Sequence, residues 1–297
     1  MDSPAWDNLP AVLRDFIAPF APESELWEIR LRTGGRVQLI GRTENRLCGD
    51  ALTERKFRQL LSALMEHSLY AWEDELSRGF FTARHGFRVG VGGRYRKVDG
   101  VWRLPDVYSA CIRIARPVIG CAEGLSEWLA GRSCLVISPP GCGKTTLLRD
   151  MARLLSERGE NIAILDERSE IAAAWHGQPS MPVGERTDIV EQIGKPEGLP
   201  MIVRALSPQV IVTDELGGEA DAAAVMDVLR SGVRVIASAH AADIDGARSR
   251  RALTQLLREG FDMIVELGRP AGTIRAVRIF ADGQWLRVDS GKGGERM

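Results

Sequence analysis

Ser138-Pro139-Pro140-Gly141-Cys142-Gly143-Lys144-Thr145-Thr146 is the stretch that decides how this chain is read. It follows the apolar run Cys134-Leu135-Val136-Ile137, which predicts a buried strand. It precedes Leu147 to Leu155, where apolar residues recur at helical spacing. Strand, Gly-rich turn, Gly-Lys-Thr and helix together form the phosphate-binding loop in its required context. The glycines permit a tight turn that aims successive N–H groups at phosphate oxygens, and the helix N-terminus adds the positive end of its dipole. Pro140, Gly141, Cys142, Gly143, Lys144, Thr145 and Thr146 are therefore the expected nucleotide-binding residues, with Lys144 reaching the β- and γ-phosphates and the Thr145 hydroxyl ligating Mg²⁺. The motif ordinarily begins with Gly, and Ser138 stands there instead without removing a phosphate donor.

Working outward, Ile211-Val212-Thr213-Asp214-Glu215 is an apolar strand ending in two acids. In a protein with a phosphate loop the first acid supports Mg²⁺ and the second polarises the attacking water, so Asp214 is the metal-side carboxylate and Glu215 the candidate base. Asp166-Glu167-Arg168-Ser169-Glu170 follows another apolar run. Glu167 and Glu170 are either a second acidic element that positions water and metal, or the acids of a capped helix start. His240, after Ala237-Ser238-Ala239, is either a γ-phosphate sensor beside Glu215 or a structural histidine. Arg88, Arg94, Arg113 and Arg116 form either a solvated basic face or the source of an arginine finger acting in trans. Arg113, mid-strand in Cys111-Ile112-Arg113-Ile114-Ala115, is the better finger, with Arg116 as substitute, because a strand holds it rigidly.

Between these motifs the chain reads as two regions. From Ala11 to Arg116 it is α+β: a helix over Ala11 to Phe20, strands over Leu26 to Leu31 and Val37 to Ile40 around Gly34-Gly35, and a Thr53-capped helix through Leu69. Strands follow over Phe80 to Ala83, Phe87 to Val91 and Val107 to Ala115. A Pro- and Gly-bearing linker over Pro117 to Gly124 places the boundary near residue 120, giving domains over 1–120 and 121–297. Beyond it, short apolar strands (also Ile162 to Leu165 and Val233 to Ala237) alternate with helices, including Ala220 to Arg230. That alternation predicts an α/β domain with a mostly parallel sheet and a ligand site at the carboxyl ends of its strands. Asp282-Gly283 between two alternating runs predicts a terminal hairpin, and the residues from Ser290 read as frayed.

The 297 residues carry 39 Lys and Arg against 40 Asp and Glu. A net charge of -1 speaks against broad binding along a phosphate backbone and leaves room for a local basic groove. Five irregularly spaced cysteines with no C-x-x-C pair suggest neither a disulfide framework nor a zinc site, and fit a reducing, cytoplasmic setting. Neither a signal peptide nor an apolar run of spanning length is present, so action at a membrane would need a partner.

Phosphate loop, acidic box, Asp-Glu strand end and His box, in that order after an Arg-bearing N-terminal region, resemble the type II/IV secretion and pilus-retraction ATPases. Glu28-Ile29-Arg30-Leu31-Arg32, Gly184-Glu185-Arg186-Thr187-Asp188, Lys195-Pro196-Glu197-Gly198 and Arg204-Ala205-Leu206-Ser207-Pro208 resemble more closely the stage III sporulation branch of that superfamily. The resemblance runs from about Glu28 to Leu267. It implies a RecA-like, Mg²⁺-dependent ATPase core behind a smaller N-terminal domain, assembled as a homo-oligomer, by expectation a hexamer. It further implies a mother-cell protein, held at the membrane by membrane-embedded channel partners, that energises a secretion-like channel to the forespore. Arg88 and Arg113 or Arg116 fall where secretion ATPases keep arginines that face the neighbouring subunit's nucleotide. Two other readings remain open at this level: a P-loop protein associated with single-stranded nucleic acid, and a nucleotide-switched scaffold without turnover. The stretch Ala172-Ala173-Ala174-Trp175 departs from the wider family pattern and has no reading.

Overall fold

The computed structural model describes residues 8–20, 26–41, 44–66, 72–114, 117–175 and 177–288. The chain divides into two units, Met1–Arg116 with Ala173–Ser180, and Pro117–Ala172 with Met181–Met297.

The first unit is an antiparallel sheet with helices. Its strands are β1 (Leu26–Arg32), β2 (Val37–Gly41), β3 (Asn45–Cys48), β4 (Phe80–Ala83), β5 (Phe87–Val98) and β6 (Val101–Arg113), in the order β3-β2-β1-β6-β5-β4. Alternation sets which face is buried: Ile29 and Leu31 of β1 point into the core while Arg30 and Arg32 do not. Against the sheet lies the helix Glu54–Leu64, started by Thr53, whose hydroxyl accepts from Lys56 N at 3.2 Å. Such a cap is worth about 1 kcal/mol. Phe57, Leu60, Leu61 and Leu64 form its buried face, each worth about 1.5–3 kcal/mol of burial. The helix stops at Leu64 rather than Leu69, and residues 67–71 of the expected span lie outside the described residues.

The sequence predicts one strand ending at Val91 and the next beginning at Val107. The structure continues both into one long hairpin turned at Asp99-Gly100. Asp99 and Gly100 have φ of 49° and 83°, the pair of positive values that a two-residue hairpin turn requires. Gly92-Gly93 and Pro105 hide the strands from the sequence because such residues ordinarily break them. Here Gly93 is demanded by close approach, since a Cβ on it would lie 1.9 Å from Asp106 O.

Ala173–Ser180 belongs to the first unit although it is interposed between segments of the second. Trp175 stacks on Trp72 with ring centroids 5.2 Å apart and planes 20° apart, and Trp72 in turn packs against Phe81 at 5.1 Å. The stretch left without a reading is thus anchored by an aromatic contact.

The second unit is built on an eight-stranded sheet of β7 (Cys134–Ser138), β8 (Ile162–Asp166), β9 (Thr187–Glu191), β10 (Val210–Glu215), β11 (Arg234–His240), β12 (Met263–Gly268), β13 (Thr273–Ala281) and β14 (Gln284–Val288). Their order is β14-β13-β12-β7-β11-β10-β8-β9. Pairing is parallel from β12 through to β9, and antiparallel only where β13 and β14 extend the edge. Together with the antiparallel first sheet, the molecule as a whole is mixed. The terminal hairpin turns at Asp282-Gly283, again with both φ positive. The expected frayed tail from Ser290 lies outside the described residues.

β7 and β8 are buried along their whole length, which explains their unbroken apolar sequences. Helices Lys144–Glu157, Lys195–Leu206 and Glu219–Arg230 belong to the same unit. Because β7, β8, β10 and β11 run parallel, Ser138, Asp166, Glu215 and His240 all arrive at the same edge of the sheet. No helix among the described residues is long and apolar enough to cross a membrane.

Candidate active site

The strand β7 ends at Ser138, and the chain turns through Gly141 (φ 72°) and Gly143 (φ 93°) into the helix Lys144–Glu157. Gly143 sits at the N-cap in a left-handed conformation, and a Cβ there would meet Gly272 N at 3.3 Å. Gly272 N donates to Cys142 O at 2.9 Å, fastening the turn from the other side. The helix is pinned by Asp150, whose Oδ1 accepts from Arg153 Nε and whose Oδ2 accepts from Ala122 N, both at 2.7 Å. Burial pushes the Asp150 carboxyl up, but these hydrogen bonds outweigh it and hold it below the ordinary carboxylate range.

A pocket of about 260 Å³ opens at this turn. It is lined by Gly141, Gly143, Lys144, Thr145 and Thr146 of the turn and helix start, by Asp214, Glu215, Ser238 and His240 at the strand ends, and by Arg168 and Glu170. Pro140 also borders it, whereas the Cys142 side chain is buried and only its backbone belongs to the turn. Lys144 Nζ lies 3.3 Å from Ser138 O, Ser138 Oγ and Pro139 O, and 3.0 Å from His240 Nδ1. Burial lowers the Lys144 pKa, and the Glu215 carboxylate opposes that shift. His240 Nε2 lies 3.1 Å from Glu215 Oε2, and Arg168 Nη1 stands 3.8 Å from the same oxygen. A lysine ammonium can only donate, so in this contact Nδ1 of His240 is the acceptor, while Nε2 faces Glu215.

The acidic box plays two parts. Asp166 is fully buried, its Oδ1 accepting from Glu170 N and its Oδ2 from Ile171 N and Ala172 N. Arg149 clasps the same loop, donating to Ile171 O at 2.6 Å and Glu170 O at 2.8 Å. Glu170 thereby reaches the pocket. Glu167 is outside the lining, and its Oε1 accepts from Lys195 N at 2.7 Å and lies 3.2 Å from Lys195 Nζ.

Lys195 is the residue that sequence reasoning missed. Its side chain is 1% exposed, and its Nζ donates to Asp214 Oδ1 at 2.8 Å. Burial pushes the Asp214 carboxyl up, against the pull of Lys195. One buried ammonium therefore ties Glu167 of the acidic box to Asp214. Only the Lys195-Pro196-Glu197-Gly198 string hinted at it, since Pro at the first turn of a helix is a start signal.

Of the other expected residues, Arg113 belongs to the first unit. It is exposed on β6, with Nε 4.0 Å from Glu28 Oε2, and opposite Arg88 of β5. Its neighbour Ile112 is fully buried, so Arg113 does project to the other face. Arg116 lies outside the described residues. Thr145 and Asp214 offer hard oxygen donors within one pocket, a set that suits Mg²⁺, which takes few protein ligands and keeps the remainder of its shell for water and phosphate.

The family described as sporulation stage III, protein AA matches residues 9–282. The chain belongs to that family. Within it, stage III sporulation protein AA of Bacillus subtilis (strain 168) is 40% identical over 278 residues, covering 90% of this chain and 91% of the relative. Among solved structures, the Legionella pneumophila ATPase DotB superposes with a TM-score of 0.58 at 14% identity, over 93% of this chain and 79% of DotB. The pilus retraction motor PilT, solved with bound ADP, gives 0.58 at 15% identity, over 92% of this chain and 80% of PilT. At such identities the likeness is one of fold: the chain shares the architecture of DotB and PilT.

Proposed function

We propose that the protein is a Mg²⁺-dependent ATPase whose hydrolysis drives assembly or operation of a secretion-like channel between mother cell and forespore. The observation that carries this reading is one pocket lined by Lys144, Thr145, Asp214, Glu215 and His240 together. Membership of a sporulation family and the fold of secretion ATPases supply the biological setting. In this account the protein works in the mother-cell cytoplasm as a hexameric ring, against membrane-embedded channel proteins.

The phosphates of ATP lie against the N–H groups of residues 141–146 at the helix N-terminus. Lys144 exchanges its neutral acceptors, Ser138 O and Pro139 O, for phosphate oxygens, a stronger charge-assisted contact. Bound Mg²⁺, held by Thr145 and Asp214, would neutralise charge on the β- and γ-phosphates. Glu215 accepts a proton from the attacking water, oriented by the Nε2–H of His240. Lys195 and Glu167 position Asp214 and do not touch substrate, while Glu170 borders the same pocket. Arg113 enters from a neighbouring subunit to meet charge on the far side of the γ-phosphate.

Binding of a fluorescent ATP analogue to Lys144→Ala tests the reading. The variant should lose measurable affinity, because the cation at the start of the helix that meets the phosphates is gone. Affinity equal to the parent's would place nucleotide elsewhere.

A further inference from the structure

The far end of the β5–β6 hairpin is exposed without interruption from Arg94 to Trp102. Folded chains seldom leave such a tip apolar, yet Val98 is 45% exposed, Val101 53% and Trp102 56%. The pleat sorts these residues. Val98 faces Val101 at the apex, on the side that also carries Arg96, and Lys97 faces Trp102 on the other side. Lys97 Nζ lies 5.9 Å from the Trp102 ring centroid.

The charge at this tip is unbalanced. Arg96 stands directly opposite Arg103, a like-charged cross-strand pair that costs stability by itself. Glu73 pairs with Arg103, and Asp106 stands opposite Arg94. Asp99 occupies the turn. Beyond the strand ladder, the Arg94 and Arg96 side chains have no hydrogen bond or ion pair among the described residues. The tip thus presents unpaired guanidinium groups around an aliphatic and aromatic apex.

We propose that the Arg94–Trp102 tip is a membrane-contact element that enters the headgroup layer of an anionic bilayer. Trp and Tyr (here Trp102 and Tyr95) settle at the boundary between headgroup and acyl chain. Val98 and Val101 bury in the apolar layer beneath it, and Arg94, Arg96 and Lys97 meet lipid phosphates. Single-stranded nucleic acid also takes basic and aromatic side chains, but it has no use for an aliphatic apex, since bases need flat stacking partners. A convex two-stranded tip likewise suits a deformable surface. This contact would supplement partner proteins rather than replace them, and it is independent of the nucleotide pocket.

Co-sedimentation of the full chain with lipid vesicles tests the proposal. The parent should sediment with vesicles of phosphatidylcholine and phosphatidylglycerol in equal parts, and not with phosphatidylcholine alone. Each basic side chain near an anionic surface is worth about fivefold in partitioning. Arg96→Glu with Lys97→Glu should therefore lower the partition coefficient by about tenfold or more. Val98→Ser with Val101→Ser, which leaves the charge unchanged, should lower it through the apolar contact instead. Both pairs lie on exposed positions, so melting temperature and ATP turnover without vesicles should match the parent. Absence of vesicle binding by the parent, or unchanged binding by both double variants, would overturn the proposal. So would tip-dependent binding of a single-stranded oligonucleotide in place of vesicles.

Discussion

His240 bridges Glu215 and Lys144: its Nε2 lies 3.1 Å from Glu215 Oε2 and its Nδ1 lies 3.0 Å from Lys144 Nζ. The imidazole connects the phosphate-loop cation to the candidate base through one ring. His240→Ala leaves Lys144 its Ser138 and Pro139 acceptors but removes the group that orients Glu215. Nucleotide affinity should stay at the parent's value while kcat falls by about tenfold to a hundredfold, as expected for a misaligned base. Steady-state phosphate release alongside equilibrium binding separates the two, and an unchanged kcat would detach His240 from the chemistry.

Lys195, itself 1% exposed, holds two carboxylates at once, Asp214 and Glu167. Lys195→Met removes the cation and leaves both acids uncompensated, a loss of about 3–5 kcal/mol. The melting temperature should drop. Added Mg²⁺ should then raise it more in the variant than in the parent, because the ion meets carboxylates that Lys195 otherwise neutralises. Equal responses to Mg²⁺ would reduce Lys195 to a packing role.

Arg113 is exposed on a rigid strand of the first unit, as a residue reaching into a neighbour would be. Arg113→Ala and Glu215→Gln subunits should each be nearly inactive alone. Mixed rings contain interfaces that pair an intact Arg113 with an intact Glu215, and these should recover part of the activity. An arginine supplied in trans can be worth about a thousandfold in rate. Absence of recovery in rings shown to be mixed would remove Arg113 from that role.

What could be read in advance was local. The turn from Ser138 into the helix at Lys144, the strand that ends at Asp214-Glu215 and the Asp282-Gly283 hairpin are contiguous strings whose conformation adjacent residues set. The Asp99-Gly100 turn carries the same signal as Asp282-Gly283 but went unread, because Gly92-Gly93 and Pro105 interrupt its strands. Lys195 was hidden for a different reason: its partners are 19 and 28 residues away, and a helix containing Pro196, Gly198 and Pro200 looks like a loop. The His240–Lys144 contact spans 96 residues and exists only because β7 and β11 are neighbours. Glu167 and Glu170 looked alike in sequence. Their roles part only when Lys195 takes one and the Asp166 loop carries the other to the pocket.

The central claim is that ATP is hydrolysed in this pocket with Glu215 as the base. Phosphate release by the parent and by Glu215→Gln, at concentrations where both are saturated with Mg²⁺–ATP, tests it most directly. The substitution keeps shape and the contact with His240 but removes the proton acceptor. The account predicts unchanged ATP binding and a fall in turnover of about two orders of magnitude or more. Turnover equal to the parent's in a variant that binds ATP normally would contradict it.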